Sequence, residues 1–252
     1  VVPQVIANLV ASLKTENFTT NEQEALQNLK DWNGEYKKED NAPTIYNRFL
    51  YEFLEGTFKD ELGESFSMFM ETPLMKKMIA VQAKKAVSVW FDDVTTEHKE
   101  TKSDIVQRSF INAISFLENQ LGDTVSLWSW SKVISAEHGH ALAAGGETLR
   151  KIFNVGPFSI DGGNEVINNQ LFTLNETGIY KVKAGPSTRR VIDFSNIENS
   201  VSILPTGQSG NIFSKHYKDQ AQKYVNGEFV KTMLNKDEIE RSKNVLIFKK
   251  KE

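Results

Sequence analysis

Hydrophobic periodicity changes at about Asp123, and that change constrains the fold of this 252-residue chain more than any other feature. Before it, apolar residues recur at three- and four-residue spacing, the pattern of amphipathic helices. After it they alternate or gather in short runs broken by Gly, Asn and Pro, as strands and turns require. The sequence predicts an α+β protein with a helical first half, 1–122, followed by a β-rich C-terminal half, 123–252.

Within the first half, Val5, Leu9 and Leu13 mark one helix, and Ala25, Leu29 and Trp32 a second over 21–32, with Asn21 as N-cap and Gly34 as C-cap. Residues 35–41 read as a solvated loop. The longest amphipathic stretch is 42–60, with Ile45, Phe49, Leu50, Phe53, Leu54 and Phe58 on its core face. Residues 66–78 carry Met68, Met70, Met75 and Met78, either a pliable binding surface or core, and core is the favoured reading. Thr72-Pro73 separates two helical pieces there. Residues 87–91 extend the apolar face, 92–101 form a polar connection, and Ser103-Asp104 opens a helix that Gly122 ends.

In the second half Val125, Leu127 and Trp130 alternate as in a strand, and 133–142, 178–183, 190–194 and 202–204 are extended. Helix returns over 214–226, with Ser214 as N-cap and Gly227 behind it, and over 236–242. Residues 245–248 form a last strand.

A net charge of −3 and a pI near 5.9 argue against a nucleic-acid partner, which selects clustered basic charge. Without cysteine there is no disulfide and no thiolate chemistry. No apolar run approaches the ~20 residues of a membrane-spanning helix. The start Val1-Val2-Pro3 lacks a signal-peptide pattern and a Met, so the chain reads as a processed product or a piece of something longer.

Few side chains invite chemistry. His138 and His140, two apart and next to Glu137, have the spacing of a metal pair on a strand, but no further ligand stands nearby, so a hydrogen-bonding role is favoured and no metal is assigned. Residues 162–168, Gly-Gly-Asn-Glu-Val-Ile-Asn, lack the spacing of a phosphate-cradling loop. Ser187 and Ser209 stand beside turn residues, without the G-x-S-x-G elbow, and read as turn serines. Asp193 lies between apolar neighbours in an expected strand, where an inward acid is costly without a partner. The alternative is that it faces solvent or pairs with Arg189 or Arg190.

Residues 185–220 concentrate unusual residue types in a dense, non-periodic order: Gly185-Pro186-Ser187, Arg189, Val191-Ile192-Asp193-Phe194, 204–210 (Leu-Pro-Thr-Gly-Gln-Ser-Gly), Ser214, His216-Tyr217 and Asp219-Gln220. In order and spacing they resemble the C-terminal part of the penicillin amidase family, the N-terminal-nucleophile (Ntn) hydrolases that include penicillin and acyl-homoserine-lactone acylases. Trp128, Trp130, His140 and Leu142 follow that family's Trp-Gly…His-Pro-Leu pattern, with Ser131 and Ala141 in place of its Gly and Pro. Its earlier His is Ile134. Residues 149–168 resemble its glycine-rich segment ending in Thr-Val-Asn, with Glu165 in place of the Thr, and Trp32-Asn33-Gly34 resembles its Trp-Asp-Gly.

The resemblance implies that the strands complete an Ntn αββα sandwich, and that the chain is the C-terminal part of the β subunit of a precursor cut internally. Its implied partners are the remainder of the β subunit, the α subunit and a small acylated amine, a β-lactam side-chain amide or an N-acyl homoserine lactone. Catalysis in such enzymes uses the Ser that begins the β subunit, which Val1-Val2-Pro3 does not match, so this chain alone is expected to be inactive. Asp193 is the implied catalytic candidate, as an acid orienting a histidine from elsewhere in the subunit. No cofactor is expected in this span; relatives often bind calcium through residues outside it. An extracellular or periplasmic location is implied, and unpaired sheet edges predict self-association in isolation. The alternative is an autonomous, non-catalytic surface or partner-binding module.

Overall fold

The computed structural model describes residues 2–241 and 248–250. Two compact units divide the chain: Val1–Ala136 with Ser159–Gly185, and Glu137–Phe158 with Pro186–Glu252. The division at 122/123 is one of secondary structure, and the compact units do not follow it.

The first unit is built on α1 (Val2–Val10), α2 (Thr20–Asp31), α3 (Ala42–Leu62), α4 (Phe66–Met70), α5 (Pro73–Lys84) and α6 (Lys102–Leu121). Thr19, not Asn21, caps α2: its side chain accepts from Glu22 N while the Glu22 carboxylate accepts from Thr19 N, a reciprocal box that starts the helix earlier. Asn21 instead donates to Glu118 Oε1 at 2.7 Å and to Asp123 O at 3.0 Å. Gly34 is not the C-cap. The helix leaves through an extended Trp32, and Gly34 (φ +89°) lets the chain pass Pro3, whose Cδ lies 3.3 Å from where a Cβ would sit. Tyr36, in the expected solvated loop, is buried.

Pro43 in its first turn pre-sets α3 for helix, and its residues from Ala42 to Leu54 are buried on every side. Along α6, which a Thr101–Asp104 capping box opens and Gly122 closes, Ile105, Val106, Phe110, Ala113, Ile114 and Leu117 are buried, and α6 packs on α3. Each such large side chain stabilises the fold by about 1.5–3 kcal/mol. Thr72-Pro73 does separate α4 from α5, and Phe66, Met70 and Met75 join the core while Met68 stays exposed. Val87 and Val89 are exposed as well, because a Ser88-capped 3-10 turn replaces the expected continuation and sends Phe91 into the core and Trp90 partly inward against Phe58.

The strand expected around Val125–Trp130 is a pair of 3-10 turns, Val125–Leu127 and Trp130–Lys132. Indole N–H groups decide this, since a buried Trp must find an acceptor. Trp128 Nε1 donates to Gly122 O at 2.7 Å and Trp130 Nε1 to Gly162 O at 3.0 Å. Both rings are fully buried and Leu127 is exposed. β1 (Ile134–His138) follows and pairs in parallel with β3 (Tyr180–Lys181), Ile134 opposite Tyr180.

The second unit holds α7 (Glu147–Phe153), β2 (Val155–Phe158) and an antiparallel sheet ordered β4 (Arg189–Val191), β5 (Val201–Ile203), β6 (Val230–Lys231). Register runs Arg189 to Ile203, Val191 to Val201 and Val201 to Lys231. Short helices α8 (Ala221–Val225) and α9 (Lys236–Glu240) complete it. The Arg189 guanidinium lies 3.8 Å from the Tyr224 ring centre and donates to Tyr224 O at 2.7 Å, holding β4 to α8.

The helix expected over 214–226 survives only as α8. Ser214 does accept from His216 N, but as part of a turn, because the preceding loop closes on itself: Ser209 N donates to His216 O and Gln220 N to Thr206 O, each at 3.0 Å. At Gly207 a Cβ would stand 2.1 Å from the His216 carbonyl oxygen. Gly207→Ala is therefore expected to lower stability by about 1–3 kcal/mol, as overpacking does, read from the urea midpoint. The strand expected over 245–248 falls largely on 242–247, outside the described residues. Among the described residues no helix is long and apolar enough to cross a membrane.

Candidate functional site

Asp193 lies two residues past the end of β4, in a turn, between an exposed Phe194 and a half-exposed Ile192. The strand stops at Val191, and the Asp193 carboxylate takes up the local donors of the turn that follows. Oδ1 accepts from Ser195 N at 2.9 Å, Ser195 Oγ at 2.6 Å and Asn196 N at 3.3 Å. The Ser195 hydroxyl, with the two amides, holds the acid below the usual carboxylate range.

The two histidines do not form a metal pair. His140 caps a short 3-10 turn, its Nδ1 accepting from Leu142 N at 3.1 Å, and its ring stacks on Phe153 at 5.0 Å. His138 ends β1, half-buried with its ring edge-on to Tyr224 at 6.1 Å, and its Nε2 is buried without a partner. Among the described residues no three His, Cys, Asp or Glu side chains converge on a metal position. Burial holds His138 below the usual imidazole value of 6.5. The folded state thus keeps it neutral and the unfolded state binds the proton more readily, so stability falls as pH drops below that value. His138→Phe is expected to remove its share of that loss, measured by urea unfolding at pH 7 and pH 5.

In the glycine-rich loop the backbone amides are already bonded. Gly162 N donates to Tyr36 O at 2.8 Å and Gly163 N to Asn168 O at 3.2 Å, leaving neither for a phosphate. The glycines are required by close approach: a Cβ on Gly163 would lie 2.5 Å from the Tyr36 ring, and one on Gly162 2.2 Å from Asn168 O. Glu165 takes a left-handed conformation (φ 58°) and pairs with Lys76 at 3.6 Å. Ser209 Oγ accepts from Asn211 N, a turn-forming bond, and Ser187 is exposed.

One charged site has no counterpart among the sequence candidates. Arg48 and Glu52, one turn apart on α3, form a buried ion pair. Arg48 Nη1 also donates to Glu176 O at 2.7 Å, and its guanidinium sits 3.4 Å from the Phe116 ring centre. Burial pushes the Glu52 carboxyl up, against the opposing pull of Arg48. Arg48 Nε and Tyr180 OH are buried without partners. The signal was present as an i,i+4 pair of opposite charges inside an otherwise apolar helix. Glu52 also lines a cleft of about 380 Å³ with Glu55, Lys59, Asp60, Asp93 and Arg108. Beside Asp60, Glu61 is pushed up to about 7 by burial and by its hydrogen bond with that acid. A second cleft, about 370 Å³, has Tyr51, Phe66, Met70 and Leu174 among its walls.

None of these groups pairs a nucleophile with a base, and the motif residues act as joints of the scaffold. The fold agrees with comparison to known proteins. A model of the penicillin amidase family matches residues 1–241, and the chain belongs to that family. Among its relatives are the acyl-homoserine lactone acylases QuiP of Pseudomonas aeruginosa, 26% identical over 226 residues, and of Pseudomonas fluorescens strain Pf0-1, 29% identical over 218. Each match takes in 82% of this chain but only 26% and 25% of the relative. QuiP of Pseudomonas syringae pv. tomato is 28% identical over 242 residues, 88% of this chain and 27% of the relative. This chain thus spans about a quarter of the length of the curated relatives it matches. A thermostable penicillin G acylase from Alcaligenes faecalis has a similar structure, with a TM-score of 0.50 and 17% identity, covering 99% of this chain and 46% of that one.

Proposed function

We propose that this chain is the C-terminal part of the β subunit of an acylase that hydrolyses the amide bond of N-acylated substrates, N-acyl homoserine lactones foremost and β-lactam side-chain amides second. The observation that carries the reading is the family match over residues 1–241, with relatives named as acyl-homoserine lactone acylases. In this reading a Ser at the start of the β subunit adds to the amide carbonyl and its proton passes to the free α-amine. The amine product leaves with that proton, and water hydrolyses the acyl-serine ester. This span supplies scaffold: it completes the αββα sandwich and contributes no nucleophile, Ser187 and Ser209 reading as turn serines and Ser209 Oγ accepting from Asn211 N. Calcium, where such an enzyme holds it, is bound by residues outside this span. Export to the periplasm or beyond belongs to the same reading.

The test is hydrolysis of a long-chain N-acyl homoserine lactone and of a chromogenic phenylacetyl amide. The full-length protein is expected to release the free amine and residues 1–252 alone to release none. Turnover by residues 1–252 would overturn the scaffold role, and an inert full-length protein would favour a non-catalytic partner-binding module.

Asp193 enters this reading as the candidate acid that orients a histidine from elsewhere in the subunit. Such a histidine has to compete with the Ser195 and Asn196 donors already on its Oδ1. Asp193→Asn in the full-length enzyme is expected to lower kcat and, because a histidine without its carboxylate is less basic, to move the acidic limb of its pH profile to lower pH. A variant that loses only thermal stability would leave Asp193 a turn former.

A further inference from the structure

The tripeptide Asn-Gly-Glu occurs twice, at 33–35 and at 226–228. Asn-Gly is a thermolabile pair, because glycine puts no Cβ in the way of its own nitrogen as that nitrogen approaches the asparagine side chain. The sequence gives the two copies equal standing; their surroundings differ. Asn33 is exposed just past α2, and its Oδ1 accepts from Glu35 N at 2.8 Å, an Asx turn. The ring which that bond closes contains Asn33 Cγ and Gly34 N, the two atoms that a succinimide joins. Gly34 N donates to no group among the described residues. The Glu35 N–H is aimed at the oxygen on which charge develops when Cγ is attacked, the place of an oxyanion donor. At the second copy, Gly227 N donates to Tyr224 O at 3.2 Å and Glu228 N to Lys223 O at 2.8 Å, so no Asx turn forms. Asn226 Nδ2 donates to Glu228 Oε1 at 3.1 Å and Oδ1 accepts from Gln222 Nε2 at 3.0 Å. There both the attacking nitrogen and the departing one are held.

We propose that Asn33 is a site of spontaneous deamidation and that the fold protects Asn226 from the same reaction. The Gly34 nitrogen forms a bond to Asn33 Cγ while its proton passes to Nδ2; the Cγ–Nδ2 bond breaks and ammonia leaves. Water then opens the succinimide at one carbonyl to give aspartate, or at the other to give isoaspartate, in which the backbone runs through Cγ. Water is the only co-reactant. Isoaspartate lengthens the backbone by a methylene within the span that Trp32 Nε1 closes on Glu35 O at 2.6 Å, and where Gly34 passes Pro3. The Trp32 ring packs on Tyr36 at 5.1 Å and on Tyr46 at 5.3 Å, so the modification loosens the core of the first unit where α1 and α2 meet it.

The two sites fall on separate tryptic peptides, residues 31–37 and 224–231, so one digest of the unsubstituted full-length protein reads both by mass. After incubation at neutral pH, with an unincubated sample subtracted, the amide of 31–37 is expected to convert to acid about tenfold faster than that of 224–231. In urea the two are expected to convert at equal rates. Equal rates in the folded protein, faster conversion at 226 or no conversion at 33 overturns the proposal. A difference that persists in urea also overturns it, since the cause would then lie in the flanking sequence. Hydrogen exchange reads the consequence. In the isoaspartate fraction α1 and α2 are expected to exchange faster than in Asn33→Asp, which adds the charge without lengthening the backbone. Equal exchange in the two would overturn the coupling to the core.

Discussion

Arg48→Met is expected to lower the stability of the chain by about 3–5 kcal/mol, the cost of leaving one member of a buried ion pair alone. The substitution keeps most of the aliphatic volume but strips the Glu52 carboxylate of its cation in a site that already pushes that acid up. It also frees the Glu176 carbonyl. In the variant Glu52 takes up a proton more readily still when folded. A group whose folded pKa is raised contributes stability at low pH and loses it as pH rises, so the defect should be larger at pH 8 than at pH 5. Urea unfolding at both values measures it. Arg48→Met combined with Glu52→Gln should recover much of the loss, since replacing both charges removes the unpaired ion. Equal defects at both pH values would show that packing of Arg48 over the Phe116 and Tyr51 rings, not charge, is what the site depends on.

The second large effect is expected at Trp130. Its ring is fully buried between Tyr36 (5.4 Å), Tyr180 (5.5 Å) and Phe172 (5.6 Å), and its indole N–H holds the glycine-rich loop through Gly162 O. Trp130→Ala should cost about 3–5 kcal/mol, as large-to-small aromatic substitutions in cores do. Trp130→Phe keeps most of the ring and separates the hydrogen bond, at about 0.5–1.5 kcal/mol. Both are read from denaturation midpoints. A Trp130→Phe loss as large as that of Trp130→Ala would assign the effect to the Gly162 anchor and not to packing.

How legible these features were depends on the range of the forces that set them. Helices α3 and α6 could be read directly, because their apolar residues keep a 3.6-residue period and Pro43 and Gly122 mark where it starts and stops. Residues 125–130 could not. Val125, Leu127 and Trp130 mimic strand alternation, whereas the backbone obeys two indole donors whose acceptors, Gly122 and Gly162, include one distant in sequence. Asp193 was misplaced for a local reason: the strand ends at Val191 and the Asp193 carboxylate binds the donors of the turn that follows, which an apolar count does not register. The residues that carry the family resemblance were legible as a signature but not as parts. Only the structure shows Trp130, Gly162 and His140 as an anchor, a close approach and a turn cap. Arg48 and Glu52 stood in plain sight at i,i+4, yet burial on every side of a helix cannot be inferred from one face of its pattern.

The first compact unit is not continuous in sequence: after Ala136 the chain leaves it, and Ser159–Gly185 returns. The returning piece supplies the Asp161 carboxylate that accepts from Lys38 N, 123 positions earlier, the Gly162 carbonyl that receives Trp130, and the Tyr180 and Phe172 rings. Contacts that close so late are slow to form, because the loop-closure entropy of the excursion comes before any of their energy. During synthesis the helices of residues 2–121 therefore emerge well before the segment that seals their aromatic centre. Translation through Gly185 sets the earliest moment at which this unit can reach its native packing.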